Sequence, residues 1–505
     1  MWLDLAGHRA RGASQRRSPT ARLAARVAAG PERKRRVDGY ARAVLSPRNR
    51  ELLGLVPSAL LVTAGFTAIF IQAQNNTPGA STNVTFNHIS SVSLTYGALF
   101  LGLCLAGHLV IRFALPHADP YLFPLVAVLA SVGIVMLYRI EPALARQQAQ
   151  WMVLGLVLFA ATIFALRRGG VGVLERYRYT IAAVGIGITV LPRVPGIGEQ
   201  VNGAYLAIHL GSISFQPAEL AKVAIVIFLA SYLRDNRQIL VTAGRRFLGV
   251  TIPPMKQFGP MLIVWGASMA TLLLTDELGT SLMFYGAFLA LLYVATGRLS
   301  FPLIGIALFA IGAWYLTGHV SHVQARVQAW EHPFNVGLYH REVGGSYQLA
   351  QSLFAQADGG LLGTGFDRSL LQYPVELANH QIVHRSILPV PESDMIYAVI
   401  VDELGLAGAA ALLLVYLLLV ARGLKTAVLA RDSFSKLLAT GLSFVIALQV
   451  FVIVGGVTRV IPLTGVTLPF VAYGGSSVVM NFVLVALLLI VSDRARRPYV
   501  SRART

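Results

Sequence analysis

Residues 461–477 read IPLTGVTLPFVAYGGSS and run on into VVMNFVLVALLLIVSD, residues 478–493. Pro462, Pro469, Gly465, Gly474 and Gly475 crowd the mouth of a membrane-grade apolar run. In a helix interior, proline costs about 3 and glycine about 1 kcal/mol. In lipid an unpaired backbone group costs more, so broken backbone is tolerated there only when buried in protein or lining a watery cavity. The stretch therefore reads as an unwound or re-entrant start to the last span. Its free N–H groups and the hydroxyls of Ser476 and Ser477 are expected to face a polar guest, since a helix N-terminus suits an anion. A kink that serves packing alone is the alternative.

The rest of the chain agrees with a membrane setting. Of 505 residues, 55% are apolar and 13% charged, with a mean hydropathy of +0.64. Runs of about 20 residues recur, each long enough for a bilayer core of roughly 30 Å. The expected class is an all-α polytopic membrane protein, without the alternating strands of a barrel. The net charge of +19 would suit nucleic acid, but its placement points to membrane lipids. Residues 1–50 (RARGASQRRS, PERKRR, SPRNR) are basic and have no long apolar run. They read as a disordered cytoplasmic tail touching anionic lipid, and no apolar segment before Glu51 suggests a cleaved signal. The only cysteine, Cys104, lies in an apolar run, which excludes disulfide and thiolate metal chemistry.

Twelve spans are expected, starting near Leu52, Leu94, Tyr121, Gln148, Tyr179, Ala218, Phe258, Thr280, Phe301, Met395, Lys436 and Phe470. With the basic tail inside, RRGGVGVLERYR, RDNRQILVTAGRR, ARGLKTAVLARD and the C-terminal SDRARRPYVSRART all fall on the cytoplasmic side, as the positive-inside bias requires. Both termini are then cytoplasmic. The unusual segments fall outside, among them a loop over 319–393. That length far exceeds helix connections of about 2–8 residues. Its patterned SYQLAQSLFAQADGGLLGTGF predicts an ordered loop with a re-entrant or interfacial helix near Gln348–Gln356.

Several motifs carry charge where charge is costly. SFQPAELAK opens the sixth span: Pro217 suits a first helical turn and Glu219 its positive dipole. Lys222, one turn on, must be paired at that depth. It either pairs with Glu219 at i,i+3 or lines a cavity for an anionic ligand. In TDELGTSLMF, Asp276 and Glu277 are helix caps or ligands of a divalent cation. PESDMIYAVIVDELG puts Asp394 at the mouth of a span, where it looks like a cap. Asp402 and Glu403 lie deeper, as functional carboxylates or interhelical glue. VPGIGEQVNGAYLAI lacks both the Walker A pattern and a βαβ setting, so it is not a nucleotide loop.

In this order, SFQPAELAK, DELGT, SYQLAQSLFAQADGGLLGTGF, PESDMIYAVIVDELGLAG and IPLTGVTLPFVAYGGSS closely resemble the SEDS family (shape, elongation, division and sporulation). Its RodA/FtsW type carries FQPSELAK, PDLGT, GYQ-x-x-QS, TDFIFAVIAEELG and LPFVSYGGSS. The resemblance covers about 119–493, implying a ten-helix core, two added N-terminal helices within 51–118 and a basic tail at 494–505. The Arg/Ala/Gly-rich tail looks like that of a high-GC actinobacterium. The resemblance implies a peptidoglycan glycosyltransferase that polymerises lipid II on the outer face of the cytoplasmic membrane, for elongation or division. A class B penicillin-binding protein would be its partner. Substrate contacts would fall at Gln216, Glu219, Lys222, Tyr347, Gln348, Asp394 and the turn Tyr473, Gly474, Gly475, Ser476 and Ser477. A divalent cation (Mg or Mn), and no organic cofactor, would assist the leaving diphosphate.

One departure bears on catalysis. The family pattern W-x-D-P-F-x-D-P-x-G-x-GYQ offers its second Asp as the catalytic carboxylate. Here Trp330-Glu331-His332-Pro333-Phe334 is followed by NVGLYHREVGGSYQ, with His332 at the first Asp and Arg341 at the second. Either a one-residue shift makes Glu342 the carboxylate, with Glu331 the competing candidate, or activity is altered or lost. A non-catalytic scaffold and a flippase for lipid-linked sugar are the rival readings.

Overall fold

In the computed structural model of the chain, the described residues are 46–75, 82–194, 196–201, 204–210, 213–242, 245–247, 250–252, 266, 278–341, 344–366, 368–369, 372–376 and 382–498. Met1–Arg50 and Glu51–Thr505 are separate compact units, and the helices below belong to the second. In chain order they are α1 Val56–Asn75, α2 Thr82–Ala114, α3 Leu122–Ile140, α4 Pro142–Gly169, α5 Arg178–Ile188 and α6 Pro217–Thr242. There follow α7 Leu278–Thr296, α8 Ser300–His319, α9 Ser321–Glu331, α10 Tyr347–Gly359, α11 Ile396–Leu429, α12 Ser433–Val457 and α13 Gly475–Arg496. Eight described helices are long and apolar enough to cross a membrane, and Ser281–Thr296 is a shorter apolar one. The protein is a polytopic helical membrane protein.

Eight of the twelve expected spans are described helices of membrane length. The span near Phe258 lies outside the described residues. The span near Tyr179 is only the 11-residue α5, too short for a bilayer at 1.5 Å per residue. Pro192 then turns the chain through a 3-10 segment, Leu191–Arg193. Beyond it an antiparallel meander forms, β1 Gly198–Val201, β2 Ala204–Leu210 and β3 Ile213–Phe215, with His209 opposite Ser214. Two hairpins, β4 Arg245–Phe247 with β5 Val250–Ile252 and β6 Gln372–Glu376 with β7 Ile382–Ser386, form separate two-stranded sheets. The all-α expectation overlooked these short strands, because apolar runs were read for membrane length and not for alternation. The loop helix expected near Gln348–Gln356 is α10.

Polar links sort the helix ends onto two faces. On one, Asp119 pairs with Arg496 and lies 3.9 Å from Arg422, while Arg178 pairs with Asp235 and Arg234 with Glu175. These are the Arg-rich connections that the charge bias assigns to a single side. At the other end stand α9, α10, the segment before α11 and residues 458–474. Close helix approach occurs where side chains are absent: a Cβ on Gly155 of α4 would meet the Phe482 ring of α13. On the N-terminal addition, Phe66 of α1 stacks on Tyr96 of α2 at 4.6 Å and meets Tyr138 of α3 edge-on at 4.7 Å. The buried Glu51 and His108 pair at 2.9 Å.

Helix α11 is broken inside. Gly405 has φ 68°, ψ −176°, a left-handed φ that glycine adopts without strain. The freed N–H groups of Leu406 and Ala407 donate to the carbonyls of Gly360 and Leu361, at 2.9 and 3.1 Å. In return the N–H groups of Thr364 and Gly365 donate to the carbonyls of Asp402 and Glu403, at 2.8 and 3.2 Å. The GGLLGTG run at the end of α10 thus pairs four of the backbone groups at the break, as membrane depth requires.

Candidate functional site

The segment 461–474 is non-helical, and α13 starts at Gly475. Its loose backbone groups are met by side chains from four helices, the first being Arg326 of α9, which donates to the Leu463 carbonyl at 3.1 Å. Gln148 of α4 donates to the Ala472 carbonyl at 3.1 Å, and its Oε1 accepts the Gly474 N–H at 3.4 Å. Gln449 of α12 donates to the Thr467 carbonyl at 2.8 Å, and Tyr416 of α11 to the Pro469 carbonyl at 2.5 Å. The Tyr473 N–H donates to the Glu392 carbonyl at 2.8 Å, and its hydroxyl to Gln147 at 2.6 Å. Gly475 is required because a Cβ there would overlap the Trp151 indole. The break is buried in protein.

The hydroxyls differ from expectation. Ser476 and Ser477 are 4% and 3% exposed and already engaged: Ser476 Oγ accepts the Gln216 N–H at 2.8 Å, and Ser477 Oγ accepts from Asn481 at 3.2 Å. They brace the turn and do not face an open guest. Half-buried Tyr473, Gly474 and Gly475 form its accessible surface.

Lys222 is 1% exposed and Glu219 7%. Lys222 Nζ lies 2.5 Å from Glu219 Oε2 and donates to Gln449 Oε1 at 3.0 Å. The intrahelical pair therefore forms, and through Gln449 it also reaches Thr467 of the turn. Gln216 clamps the start of α6 to α13 beside it.

Asp394 precedes α11, but the cap position belongs to Met395 and carries no side-chain capping bond. The capping expectation is corrected: Asp394 turns toward the segment before α13, where a Cβ on Gly465 would stand 3.7 Å from its Oδ2. Burial pushes its carboxyl up to about 6, Glu392 adds to this, and Arg326 and a Ser393 hydrogen bond oppose it. The folded protein then binds this proton more tightly than the unfolded chain. Asp394 should cost stability as pH rises from about 4 to about 6, and the cost persists above that window. Asp394→Asn is expected to raise the thermal unfolding midpoint by a few degrees at pH 8, with no gain below pH 4. A uniform shift at both pH values would contradict the burial argument.

The long loop brings its helices to the same end. Glu331, exposed, closes α9. Asn335 caps the next turn by accepting the Gly337 and Leu338 N–H groups at 3.0 and 3.2 Å. The Ser346 N–H donates to the Leu338 carbonyl at 3.0 Å, and Tyr339 meets Tyr347 edge-on at 5.1 Å. Tyr347 and Gln348 are half-buried at the start of α10. Arg341 is exposed, while Glu342 lies outside the described residues, as do Asp276 and Glu277. Among the described residues no three His, Cys, Asp or Glu side chains gather as a metal group.

Asp402 and Glu403 are drawn into the break of α11. Arg139 Nε of α3 lies 2.6 Å from Glu403 Oε1, which also accepts from Ser369 Oγ at 2.9 Å. Arg139 donates to the Ser369 carbonyl at 2.7 Å. Glu403 thus acts as interhelical glue. Arg139 escaped the sequence reading, although a lone charge at the end of an apolar run is the same signal that singled out Glu403. Gln148, Gln449, Arg326 and Arg459 also escaped it. The two glutamines carry no charge to mark them in an apolar run.

The cell cycle protein family model covering FtsW, RodA and SpoVE matches residues 115–497. A curated relative, peptidoglycan glycosyltransferase RodA of Mycobacterium tuberculosis, is 38% identical over 469 residues, 90% of this chain and 93% of the relative. The protein of the same name from Mycobacterium leprae is 39% identical over 417 residues, covering 81% and 84%. Among solved structures, a chain of a peptidoglycan synthase complex matches with TM-score 0.59 and 24% identity, covering 75% of this chain and 99% of that one. The rod shape determining protein RodA of Thermus thermophilus matches with TM-score 0.53 and 24% identity, covering 76% and 98%. At that identity the structures speak for the fold alone.

Proposed function

The chain belongs to the FtsW/RodA/SpoVE family of cell cycle proteins, and we propose that it is a peptidoglycan glycosyltransferase extending glycan strands from lipid II at the outer face of the cytoplasmic membrane. One observation carries the reading. The Tyr473–Gly475 turn, the Asp394–Arg326 pair of charges and the Trp330–Glu331 end of α9 all lie at the end of the bundle opposite its Arg-rich connections. By the positive-inside bias that end is extracytoplasmic and both termini are cytoplasmic.

The reaction joins an acceptor sugar hydroxyl to the anomeric carbon of a lipid-linked donor. A carboxylate takes the hydroxyl proton as the new C–O bond forms, and the bond to the lipid diphosphate breaks. Glu342 or Glu331 supplies that base, within about 2.6–3.2 Å of the proton. Arg326 and the exposed Arg341 supply positive charge for the diphosphate, whose growing negative charge fixed cations stabilise. The half-buried Tyr473, Tyr347 and Gln348 shape the polar side. A divalent cation would be held by Asp276 and Glu277 and would offset charge on the leaving diphosphate.

A class B penicillin-binding protein is the proposed partner. Purified protein with that synthase and labelled lipid II should give glycan ladders. Absence of ladders with every synthase would leave the scaffold reading, which His332 and Arg341 favour by standing where the family pattern has Asp. The flippase reading loses support because Glu403 is committed to Arg139.

Replacing Glu219 by Gln and Lys222 by Met removes both charges of a buried pair together, so the folded state should survive, since such pairs are close to neutral against apolar replacements. Without Lys222, Gln449 and the turn at Thr467 lose their support. The double variant is expected to stay monodisperse in detergent and to lose most of its glycan output. Full activity would reduce the pair to a local helix contact.

A further inference from the structure

We infer that Arg459 is a positioning residue, whose guanidinium holds the end of α9, and with it Trp330 and Glu331, onto the segment Val457–Leu463; the inference rests on the glycosyltransferase reading. The last carbonyls of a helix lack intrahelical donors. Arg459 supplies two: its Nε donates to the Trp330 carbonyl at 2.9 Å and its Nη2 to the Glu331 carbonyl at 2.8 Å. Trp330 Nε1 returns a hydrogen bond to the Arg459 carbonyl at 3.1 Å. A planar fork suits two adjacent carbonyls, and its charge sits at the negative end of the helix dipole.

The backbone of Arg459 supports the same reading. Its φ is 61°, left-handed and strained for an arginine, and glycine would relieve that strain. Strain of this kind persists where surrounding contacts over-determine it, typically at functional sites. The surrounding contacts are present. Arg326 of α9 donates to the Leu463 carbonyl at 3.1 Å. Ser352 and Gln356 of α10 donate to the Val457 carbonyl at 3.2 and 3.0 Å. One short backbone segment therefore carries both loop helices and continues directly into the turn that ends at Gly475. Arg459 sets the distance between Glu331 and that turn.

The test uses the full chain with its synthase partner and labelled lipid II. Arg459→Gly removes the fork and relieves the strain, and Arg459→Lys keeps charge without the fork. Since an ångström of misplacement can cost on the order of 100-fold in rate, both variants should lose kcat with KM unchanged. Added guanidinium ion should restore part of the glycine variant's rate and none of the wild type's. Amide hydrogen exchange over Ser321–Trp330 should be faster in Arg459→Gly. Wild-type kcat in Arg459→Gly, or a loss carried by KM, would overturn the inference. If the wild type itself makes no glycan, the polymerase reading falls alone. The exchange comparison then still decides the hold, with faster exchange supporting it and unchanged exchange refuting it.

Discussion

Arg139→Met is expected to cost the protein its fold, or nearly so. The pair it makes with Glu403 is 2.6 Å long, with side chains 8% and 0% exposed. Removing one partner leaves a buried charge uncompensated, at a cost of roughly 3–5 kcal/mol. Net stabilities of folded domains are only about 5–15 kcal/mol. The damage should spread, because Glu403 lies in the α11 break where its own carbonyl receives Gly365, and Arg139 holds Ser369 just after that loop. The measurable result is loss of monodisperse protein in detergent, or a much lower unfolding midpoint. Arg139→Met with Glu403→Leu should recover most of the folded protein, since the desolvation of two charges disappears with their attraction. A recovered double variant with normal glycan output would place Arg139 and Glu403 outside the chemistry. Wild-type stability in the single variant would mean that water reaches the pair.

The same pair shows where a sequence stops being informative. The break at 461–475 was legible because prolines and glycines at membrane depth have few explanations. The helix α10 was legible from its apolar pattern in an over-long loop, and the Glu219–Lys222 contact from i,i+3 spacing. The break at Gly405 was not. A single glycine in an apolar helix is tolerated at about 1 kcal/mol, so nothing local required a break. What stabilises it is the docking of GGLLGTG from the preceding loop, a non-local event. The engagement of Ser476 and Ser477 was misjudged for the same reason: their partners, Gln216 and Asn481, decide whether a hydroxyl is free, and only the packing of α6 on α13 brings Gln216 there. Arg459 was invisible on both counts, since its role depends on a positive φ and on carbonyls of another helix.

Glu342→Gln is expected to abolish glycan ladders while expression and synthase binding stay normal. The described residues on either side of it are held by contacts among themselves: Ser346 to Leu338, Asn335 to the turn that follows it, and Gln351 to the Tyr339 hydroxyl at 2.7 Å. The substitution keeps size and polarity and removes only the base. General-base catalysis is worth about 10²–10⁴-fold, so residual ladders should fall below detection. Glu342 stands five residues before Tyr347, where the family pattern keeps its Asp at six. A side chain one methylene longer recovers part of that displacement. Neighbouring Arg341, exposed and cationic, is a charge available to the leaving diphosphate. Glu331 is the competitor. Its side chain is exposed at the end of α9, and Arg459 grips its backbone carbonyl, so its position is well defined. If Glu331→Gln is inactive and Glu342→Gln polymerises normally, the base is Glu331 and the Arg459 hold aims it directly. If both are inactive, one carboxylate takes the proton and the other orients the acceptor, and the pH dependence of the residual rate separates them. If both polymerise normally, neither is the base, and the next carboxylates to replace are Asp394 and Glu392, both beside the Tyr473 turn.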